Sequence, residues 1–511
     1  MGENSRTSNT VKNIGINFSL YFLTYIAVFV SRTYFVKLLG NEYLSLNGLF
    51  TNLITIVSFS ELGLGSATIY CLYKPIAEND YCKINSYLKY FHKLYKLVII
   101  ASIVIAIFLI PAIPYIIDID SLIIPYTKIV LFYCLFVVNT ILTYFFVESK
   151  LFLIADQKNY IVNIIQQAIH IAQLGLQIIY LVLSKDFVGF LIIQILATFS
   201  TNILIHIYVK SRYKEVFQAN ISMIENNERM QVTSNIRSIF FYKIGAVLLN
   251  GTNNIIISSF VKTLLVGVCS NYLLIINAIN SVLMQCFNGI GASIGNHIVL
   301  ANKENQESVF RQLNMLCVIA FSFSSICLYV LINPLIKIWL GDEYLLDQKT
   351  TVTLILVFFV TGVNQIPSLY RTSIGLFKKA RFYPLIAAIT HIFVSIILAK
   401  NVGLWGVFLA TILVRLLFFT CVDSTLVYKY GFTKSPLQYF MRYLGDIMCL
   451  LLGCIVTKYV CSFVEINSLF SLVIASVICV VIALVYLVTL YAPTKDFYSL
   501  IQRLKLILYK K

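Results

Sequence analysis

Long hydrophobic stretches recur along the chain, and shorter polar segments rich in basic residues separate them. A helix that crosses the apolar core of a bilayer needs about 20 such residues, and fourteen stretches approach or exceed that length. The stretches are Asn13–Val36, Leu49–Tyr73, Leu94–Ile117, Ile129–Leu151, Tyr160–Leu183, Phe187–Val209, Ser238–Phe260, Val266–Ser293, Leu313–Leu335, Val352–Ile374, Tyr383–Leu398, Leu404–Tyr428, Tyr443–Cys461 and Ser468–Tyr491. The pattern predicts an all-α membrane protein with about 14 transmembrane helices. The first stretch is too long for a signal peptide and lacks a small-residue cleavage site, so we interpret it as an anchor.

Composition supports this class and excludes others. Hydrophobic residues make up 59% of the 511-residue chain and charged residues 12%, with a mean hydropathy of +0.85, whereas soluble domains carry about 25% charged residues. A soluble enzyme, a disordered chain and a secreted disulfide scaffold are therefore excluded. The twelve cysteines lie mostly within apolar stretches, without a CxxC pair or metal-type spacing to the five histidines. We expect them to behave as small hydrophobic residues, and we predict no metal site.

Basic residues are distributed unevenly between the two sides of the predicted membrane. With the N-terminus inside, the even-numbered gaps and both tails carry 28 Lys and Arg, and the odd-numbered gaps carry 8. Cytoplasmic loops are enriched in these residues. The bias predicts that both termini are cytoplasmic, and it explains the net charge of +17 without nucleic acid.

The chain divides into two comparable halves at its longest polar interruption. We predict an N-terminal six-helix lobe (1–209), a cytoplasmic linker (210–237), a C-terminal six-helix lobe (238–430), two additional transmembrane helices (431–494) and a basic amphipathic cytoplasmic tail (495–511). The sequence FVK at Phe35–Lys37 recurs at Phe260–Lys262, and a GxG pair that starts at Gly63 recurs from Gly289. These matches in register indicate an internal repeat, which is how many transporters are built.

Two basic segments have helical apolar spacing without the length of a membrane span. They are Tyr81–Lys96 and Phe497–Lys511. We expect both to lie in the headgroup region of the cytoplasmic leaflet, where anionic lipid attracts lysine and arginine.

The segment SRTYFVKLLGNEYLSLNGLFTNLITIVSFSELGLGSATIY resembles the opening of the Wzx-like bacterial lipid-linked oligosaccharide (polysaccharide) flippases, which belong to the multidrug/oligosaccharidyl-lipid/polysaccharide exporter (MOP) superfamily. The stretches IIISSFV, SNYLLIINAIN, IGASIGNHI, KIWLGDEYLL and VYKYGF extend the resemblance over essentially the whole chain. It implies a MATE-like fold with two six-helix lobes around a central cavity and two additional C-terminal helices. It also implies alternating access that moves an undecaprenyl-pyrophosphate-linked sugar across the bacterial plasma membrane. Asn253 stands where the family often has an acid, and Arg415 has no counterpart in the family pattern.

Charge inside a membrane span is costly and usually lines a cavity, and four charged residues inside predicted spans are candidates for such a role. Glu61 and Arg415 lie near the predicted midplane. Each is either part of a structural ion pair or a kink partner; alternatively, Glu61 is a proton or cation site or a gate, and Arg415 is its counter-charge. Arg32 and Lys243 lie nearer the outer and inner ends, so they either bind a pyrophosphate or snorkel to the interface. Pro367 predicts a kink in the tenth span.

The fifth span carries a polar stripe. Asn163, Gln166, His170, Gln173 and Gln177 follow spacings of 3, 4, 3 and 4 residues, which places them on one helix face. A face of this kind must contact protein or water. It either joins helices or lines a cavity in which amides bind sugar hydroxyls. Further amides that predict a second polar wall are Asn52, Asn250, Asn253, Asn254, Asn277, Asn280 and Asn288.

The sequence has no GxxxxGK[ST] phosphate loop, so we expect no nucleotide cofactor. The favoured function is a secondary transporter that flips lipid-linked oligosaccharide; its expected partners are that substrate, membrane lipids, and a polysaccharide polymerase with other glycan-assembly proteins. One alternative is a multidrug/cation antiporter of the same superfamily, whose cavity should be acidic or aromatic. A membrane polymerase would need a large external loop, and the predicted gaps do not provide one.

Overall fold

The computed structural model describes the backbone of residues 3–509 except 62, 222–229, 231–239, 241–243, 246, 250, 301, 377 and 381. The chain forms two compact units, Met1–Gly267 and Val268–Lys511. The predicted boundary in 210–237 falls largely on residues outside this description, so the predicted domain limits stay a prediction.

Unit 1 is helical throughout its described part. Its helices are α1 (Glu3–Val57), α2 (Leu64–Ala77), α3 (Tyr81–Leu109), α4 (Ile113–Ile116), α5 (Tyr126–Thr143), α6 (Val147–Ala155), α7 (Asn159–Ser184), α8 (Phe187–Arg212), α9 (Lys214–Gln218) and α10 (Asn253–Phe260), and α11 (Thr263–Leu300) begins in unit 1 and continues into unit 2.

Unit 2 is also helical where it is described. Its helices are α12 (Lys303–Leu340), α13 (Gln348–Val363), α14 (Gln365–Ser373), α15 (Tyr383–Val402), α16 (Leu404–Val414), α17 (Cys421–Leu426), α18 (Leu437–Cys461), α19 (Leu469–Tyr491) and α20 (Lys495–Tyr509). Two π-helical segments, Arg415–Thr420 and Val427–Phe432, flank α17.

Twelve helices within the described residues are long and apolar enough to cross a membrane, so the chain is a multi-pass membrane protein. The number is compatible with about 14 predicted spans for two reasons. The first two predicted spans share α1, which is continuous except for a kink at Gly40, where φ is +83°. The seventh, Ser238–Phe260, is interrupted by residues outside the description, and the helix described there, Asn253–Phe260, is only eight residues long.

Polar caps determine where several helices begin. Asp186 accepts a hydrogen bond from the backbone N–H of Gly189 at 2.8 Å at the start of α8. Ser468 and Ser471 form a reciprocal capping box at the start of α19. Such caps satisfy backbone N–H donors that have no partner within the first helical turn.

The tenth predicted span is broken where proline predicts a kink. Pro367 has no N–H to bond the carbonyl of Val363, four residues earlier, and α13 ends at that residue. Asn364 forms the junction, and α14 follows from Gln365. The kink prediction is confirmed.

The apolar face of Tyr81–Lys96 packs against protein, and the expected position of this segment at the headgroup level stays a prediction. These residues are the first part of α3, and their apolar face is covered by protein: Phe91 is fully buried and Ile84 is 2% exposed. They join a core with Leu72 of α2 and Leu153 of α6. Amphipathic spacing has the same form whether the apolar face meets lipid or protein, and here α2 and α6 supply protein.

Candidate functional site

The polar stripe of α7 contains two different environments. Gln177 is 1% exposed, and its Nε2 donates a hydrogen bond at 2.9 Å to the backbone carbonyl of Phe190 in α8. Gln173 donates in turn to Oε1 of Gln177 at 3.3 Å. This end of the stripe therefore joins helices, the first of the two alternatives for such a face.

The other end of the stripe is more open. Asn163, Gln166 and His170 are half-buried rather than enclosed. Beside them, Gln167 accepts a hydrogen bond from Thr24 of α1 at 2.7 Å, which holds α1 along α7. A substrate-binding role for the three half-buried residues stays a prediction.

Arg32 and Asn52 both lie on α1, on opposite sides of the kink at Gly40. Both side chains are half-buried. The kink changes the direction of the helix between them, so they belong to two distinct helical segments although the helix is formally continuous.

Glu61 lies at a break between α1 and α2. It ends the 3₁₀ turn Ser58–Glu61, and Gly63 then adopts a left-handed conformation with φ of +99° before α2 begins. A Cβ atom added at Gly65 would lie 3.9 Å from Oε1 of Glu61 and 3.8 Å from the hydroxyl of Tyr95. The predicted midplane acid is thus located at a helix interruption beside a tyrosine of α3.

The predicted second amide wall is only partly described. Asn254 donates to the backbone carbonyl of Gly48 in α1 at 3.2 Å and is buried. The amide oxygen of Asn253 is buried and makes no hydrogen bond within the described residues. In unit 2, Asn277 of α11 is exposed and Asn280 is half-buried. Lys243, Asn250 and the side chain of Asn288 lie outside the described residues.

Arg415 begins the first π-helical segment of unit 2. Its guanidinium carbon lies 5.9 Å from the centre of the Phe419 ring. Nearby on α15, His391 is fully buried, and its Nε2 lies 3.0 Å from the Thr411 hydroxyl. π-Helical turns within α-helices often occur at functional sites, and here one places an arginine among aromatic and polar neighbours.

Unit 2 contains a buried ion pair that the sequence patterns do not predict. Nε of Arg371 lies 2.7 Å from Oδ1 of Asp423, and both side chains are at most 1% exposed. Asp423 also accepts hydrogen bonds from Asn364 at 3.1 Å and from the Tyr383 hydroxyl at 2.9 Å. A signal existed, because Asp423 is an acid inside a predicted span. Arg371 lies three residues from the end of its span and was counted among the loop cations.

A cavity of about 750 Å³ lies in unit 2 among α12, α18 and the start of α20. Both of its arginines are paired within the chain. Arg442 donates to Asp496 at 2.7 Å, and Arg311 donates to Glu307 at 3.1 Å. Because the arginines are already neutralised by these carboxylates, the cavity does not by itself specify an anionic ligand.

Solved structures of transporters share this architecture. Lipid II flippase MurJ in an inward closed conformation matches at 15% identity over 93% of this chain and 99% of its own, with a TM-score of 0.67. An inward-facing multidrug resistance MATE family transporter of the MOP superfamily matches at 13% identity over 80% of this chain and 97% of its own, with a TM-score of 0.56. A MOP superfamily transporter from Pyrococcus furiosus matches at 14% identity over 81% and 94%, with a TM-score of 0.50.

No protein-family model and no curated protein sequence matches the chain. The similarity is therefore one of fold. These neighbours are transporters rather than enzymes. The chain has an all-helical fold similar to those of lipid II flippase MurJ and a MATE family transporter.

Proposed function

We propose that this protein is a secondary transporter that flips undecaprenyl-pyrophosphate-linked oligosaccharide repeat units across the bacterial plasma membrane. The flipped units would enter surface polysaccharide biosynthesis. Transport would proceed by alternating access, with both termini in the cytoplasm. Expected partners are the lipid-linked substrate, membrane lipids and the proteins that polymerise and assemble the glycan.

The observation that carries the proposal is the difference in coverage between two neighbours. The lipid II flippase accounts for 93% of this chain, whereas the multidrug transporter accounts for 80% although 97% of its own length is matched. The difference is roughly the length of two membrane-spanning helices with their connections. This favours a flippase of a lipid-linked substrate over a multidrug antiporter.

The charges inside the predicted spans support the same choice. Arg32 lies in α1 and Arg415 in a π-helical segment, both within apolar helices. Arginine offers a planar fork that matches pyrophosphate oxygens. The half-buried amides of α7 can both donate to and accept from sugar hydroxyls.

The alternative is a multidrug/cation antiporter, which Glu61 beside Tyr95 favours. An acid next to an aromatic ring suits an organic cation. The two functions require opposite charge in the substrate, so one experiment separates them.

The test uses purified protein in proteoliposomes with a fluorescent undecaprenyl-pyrophosphate oligosaccharide, whose flipping is read from loss of quenching. Arg32→Gln should reduce flipping at least tenfold, Arg32→Lys should retain part of it, and Lys37→Gln should behave as wild type because Lys37 is an exposed residue of the same helix. Transport of an organic cation without flipping of the lipid would overturn the proposal and support the antiporter.

A further inference from the structure

The cavity of unit 2 contains a buried acid that the candidate sites do not include. The cavity lies where α12, α18 and α20 begin and α19 ends, and Asp446 of α18 is one of its lining residues. Asp446 is 8% exposed and belongs to the thirteenth predicted span, Tyr443–Cys461. An ionisable residue within a membrane-spanning helix is costly and usually serves a function.

The carboxylate of Asp446 is only partly satisfied by the protein. Within the described residues, its one hydrogen bond comes from the hydroxyl of Tyr491 in α19, which lies 2.7 Å from Oδ1. Arg442, one turn earlier on α18, interacts with it electrostatically but forms its ion pair with Asp496 at 2.7 Å. A carboxylate has about four acceptor positions, so Asp446 retains capacity for a ligand.

Asn314 of α12 adds a second unused acceptor to the cavity. The residue lines the cavity and is 6% exposed. Its Oδ1 is buried and makes no hydrogen bond within the described residues. A buried acceptor without a donor is costly. Both acceptors therefore favour a ligand that donates hydrogen bonds.

Aromatic side chains form one wall of the cavity. Phe310, Tyr428 and Tyr439 line it. The ring centroid of Tyr428 lies 5.7 Å from that of Phe310 and 5.8 Å from that of Tyr439. Because an aromatic face stabilises a cation, this wall suits a ligand that has a cationic group and an apolar body.

The mouth of the cavity carries charges that are mostly paired. Glu307 pairs with Arg311 at 3.1 Å and Asp496 pairs with Arg442 at 2.7 Å, and the two arginine side chains are 38% and 49% exposed. Lys495, by contrast, is exposed and forms no ion pair within the described residues. The cavity thus has an unpaired acid in its interior and an unpaired base at its mouth.

The levels of these two charges differ by about one helical turn. Asp446 follows Arg442 by four residues, which is a rise of about 6 Å along α18. Arg442 donates to Asp496, the neighbour of Lys495 in the sequence. A molecule that complements both charges carries its cation at the inner end and its anion at the outer end.

We infer that this cavity binds a small zwitterion, with a primary ammonium group against Asp446 and Asn314 and an anionic group towards Lys495. A primary ammonium has three N–H donors, enough for both acceptors, and its charge neutralises the buried carboxylate. A water molecule satisfies Asn314 but leaves that carboxylate charged. The site belongs to unit 2 and includes none of the candidate transport residues, so the inference does not depend on the proposed function.

Binding is tested by isothermal titration calorimetry on the purified full-length protein in detergent micelles at pH 7.5. The probe is 4-(aminomethyl)benzoate, and benzylamine and 4-methylbenzoate are matched compounds that each lack one of its charges. The zwitterion should bind at least about tenfold more tightly than 4-methylbenzoate and about threefold more tightly than benzylamine. Equal affinity for all three compounds, tightest binding of 4-methylbenzoate, or no binding of the zwitterion would overturn the inference.

Substitutions test which residue binds each end of the ligand. Asp446→Asn should weaken binding of the zwitterion and of benzylamine at least about tenfold, and Glu304→Gln should change neither, because Glu304 is an exposed acid at the start of α12. Lys495→Gln should lower the affinity of the zwitterion to that of benzylamine, whereas Lys303→Gln, at another exposed lysine, should leave it unchanged. Wild-type affinity of Asp446→Asn for the zwitterion would contradict the site.

Asn314→Leu provides a second variant in case Asp446→Asn does not fold. It replaces an unsatisfied buried amide by an apolar side chain of similar size, so folding should be preserved. Binding of both ammonium compounds should fall at least about threefold, while that of 4-methylbenzoate stays the same. Unchanged affinity for benzylamine in this variant would exclude an ammonium group against Asn314 and overturn the proposed orientation of the ligand.

Discussion

The two units each contain a buried acid beside a basic partner, but they satisfy it differently. In unit 2, Asp423 is fully buried. It forms an ion pair with Arg371 and accepts hydrogen bonds from Asn364 and Tyr383. In unit 1, Glu148 is 7% exposed; one oxygen faces a half-exposed His92 and the other makes no hydrogen bond within the described residues. A completely paired buried charge holds several helices together, whereas a half-paired one contributes less to packing.

The two acids also differ in the number of structural elements that supply their partners. Asp423 lies between two π-helical segments and contacts side chains from α14, α15 and the α13–α14 junction. It therefore joins several parts of unit 2. Glu148 has its partner on α3 alone. Neutralising each acid should thus have very different consequences for stability.

The largest effect is expected from Asp423→Asn. It leaves the Arg371 guanidinium buried without its counter-charge, and breaking a buried pair in this way costs about 3–5 kcal/mol. Reversible unfolding in mixed micelles measures the loss. The double variant Arg371→Met/Asp423→Leu should recover much of it, because two apolar side chains of similar volume avoid burying any charge.

If the double variant is as unstable as Asp423→Asn, the pair has a role beyond mutual neutralisation. If Asp423→Asn unfolds like the wild type, the contrast between the two units is lost. Expression and detergent-extracted yield are the control for both variants.

The membrane-spanning fold is largely predictable from sequence because bilayer thickness imposes a long apolar stretch on each helix. The break at Pro367 is predictable as well, since proline removes one backbone donor. The pairing of Arg371 with Asp423 is not, because 52 residues separate them and no periodic pattern joins their helices. The covering of α3 by α2 and α6 is equally hidden, since amphipathic spacing does not reveal what meets the apolar face.

The polar face of α7 also shows what sequence spacing cannot predict. The spacing along α7 correctly predicts one polar face, but it cannot separate Gln177, which bonds the Phe190 carbonyl, from the half-buried Gln166 on the same face. The difference depends on how closely α8 approaches each turn. The fourth predicted span, Ile129–Leu151, is likewise interrupted between Thr143 and Val147 by a left-handed phenylalanine that no sequence rule anticipates.

A smaller loss of stability than that of Asp423→Asn is expected when Gln177, which is hydrogen-bonded in unit 1, is truncated. Gln177→Ala removes the hydrogen bond from α7 to the Phe190 carbonyl and leaves a cavity where a side chain only 1% exposed stood, at a cost of about 0.5–3 kcal/mol. Gln166→Ala, on the same face of α7, should cost less than about 0.5 kcal/mol and lower flipping instead. Equal destabilisation by both variants would mean that the whole stripe joins helices. Unfolding and proteoliposome flipping are measured on the same preparations.

A still smaller and pH-independent effect is expected at the edge of unit 1. The Tyr213 hydroxyl donates to Asp156, and burial raises the pKa of Tyr213 to about 12. The protonated, donating form therefore contributes stability that is complete below the unfolded pKa of about 10 and is lost as the pH rises through about 12. Tyr213→Phe should cost about 0.5–1.5 kcal/mol, with the same value at pH 5.5 and 8.5. A cost that changes between these two values would indicate a neighbouring group that titrates in this window.

The smallest change in stability is expected from Glu148→Gln, although it removes a buried acid. The amide keeps one polar contact with His92, and His92 is exposed enough for water to solvate it. Exposed or half-exposed charge pairs contribute only about 0–1 kcal/mol. Unfolding at pH 7.5 should therefore place Glu148→Gln within about 1 kcal/mol of the wild type, while Asp423→Asn falls well below both. A loss as large as that of Asp423→Asn would show that the two acids matter equally for packing and would remove the contrast between the two units.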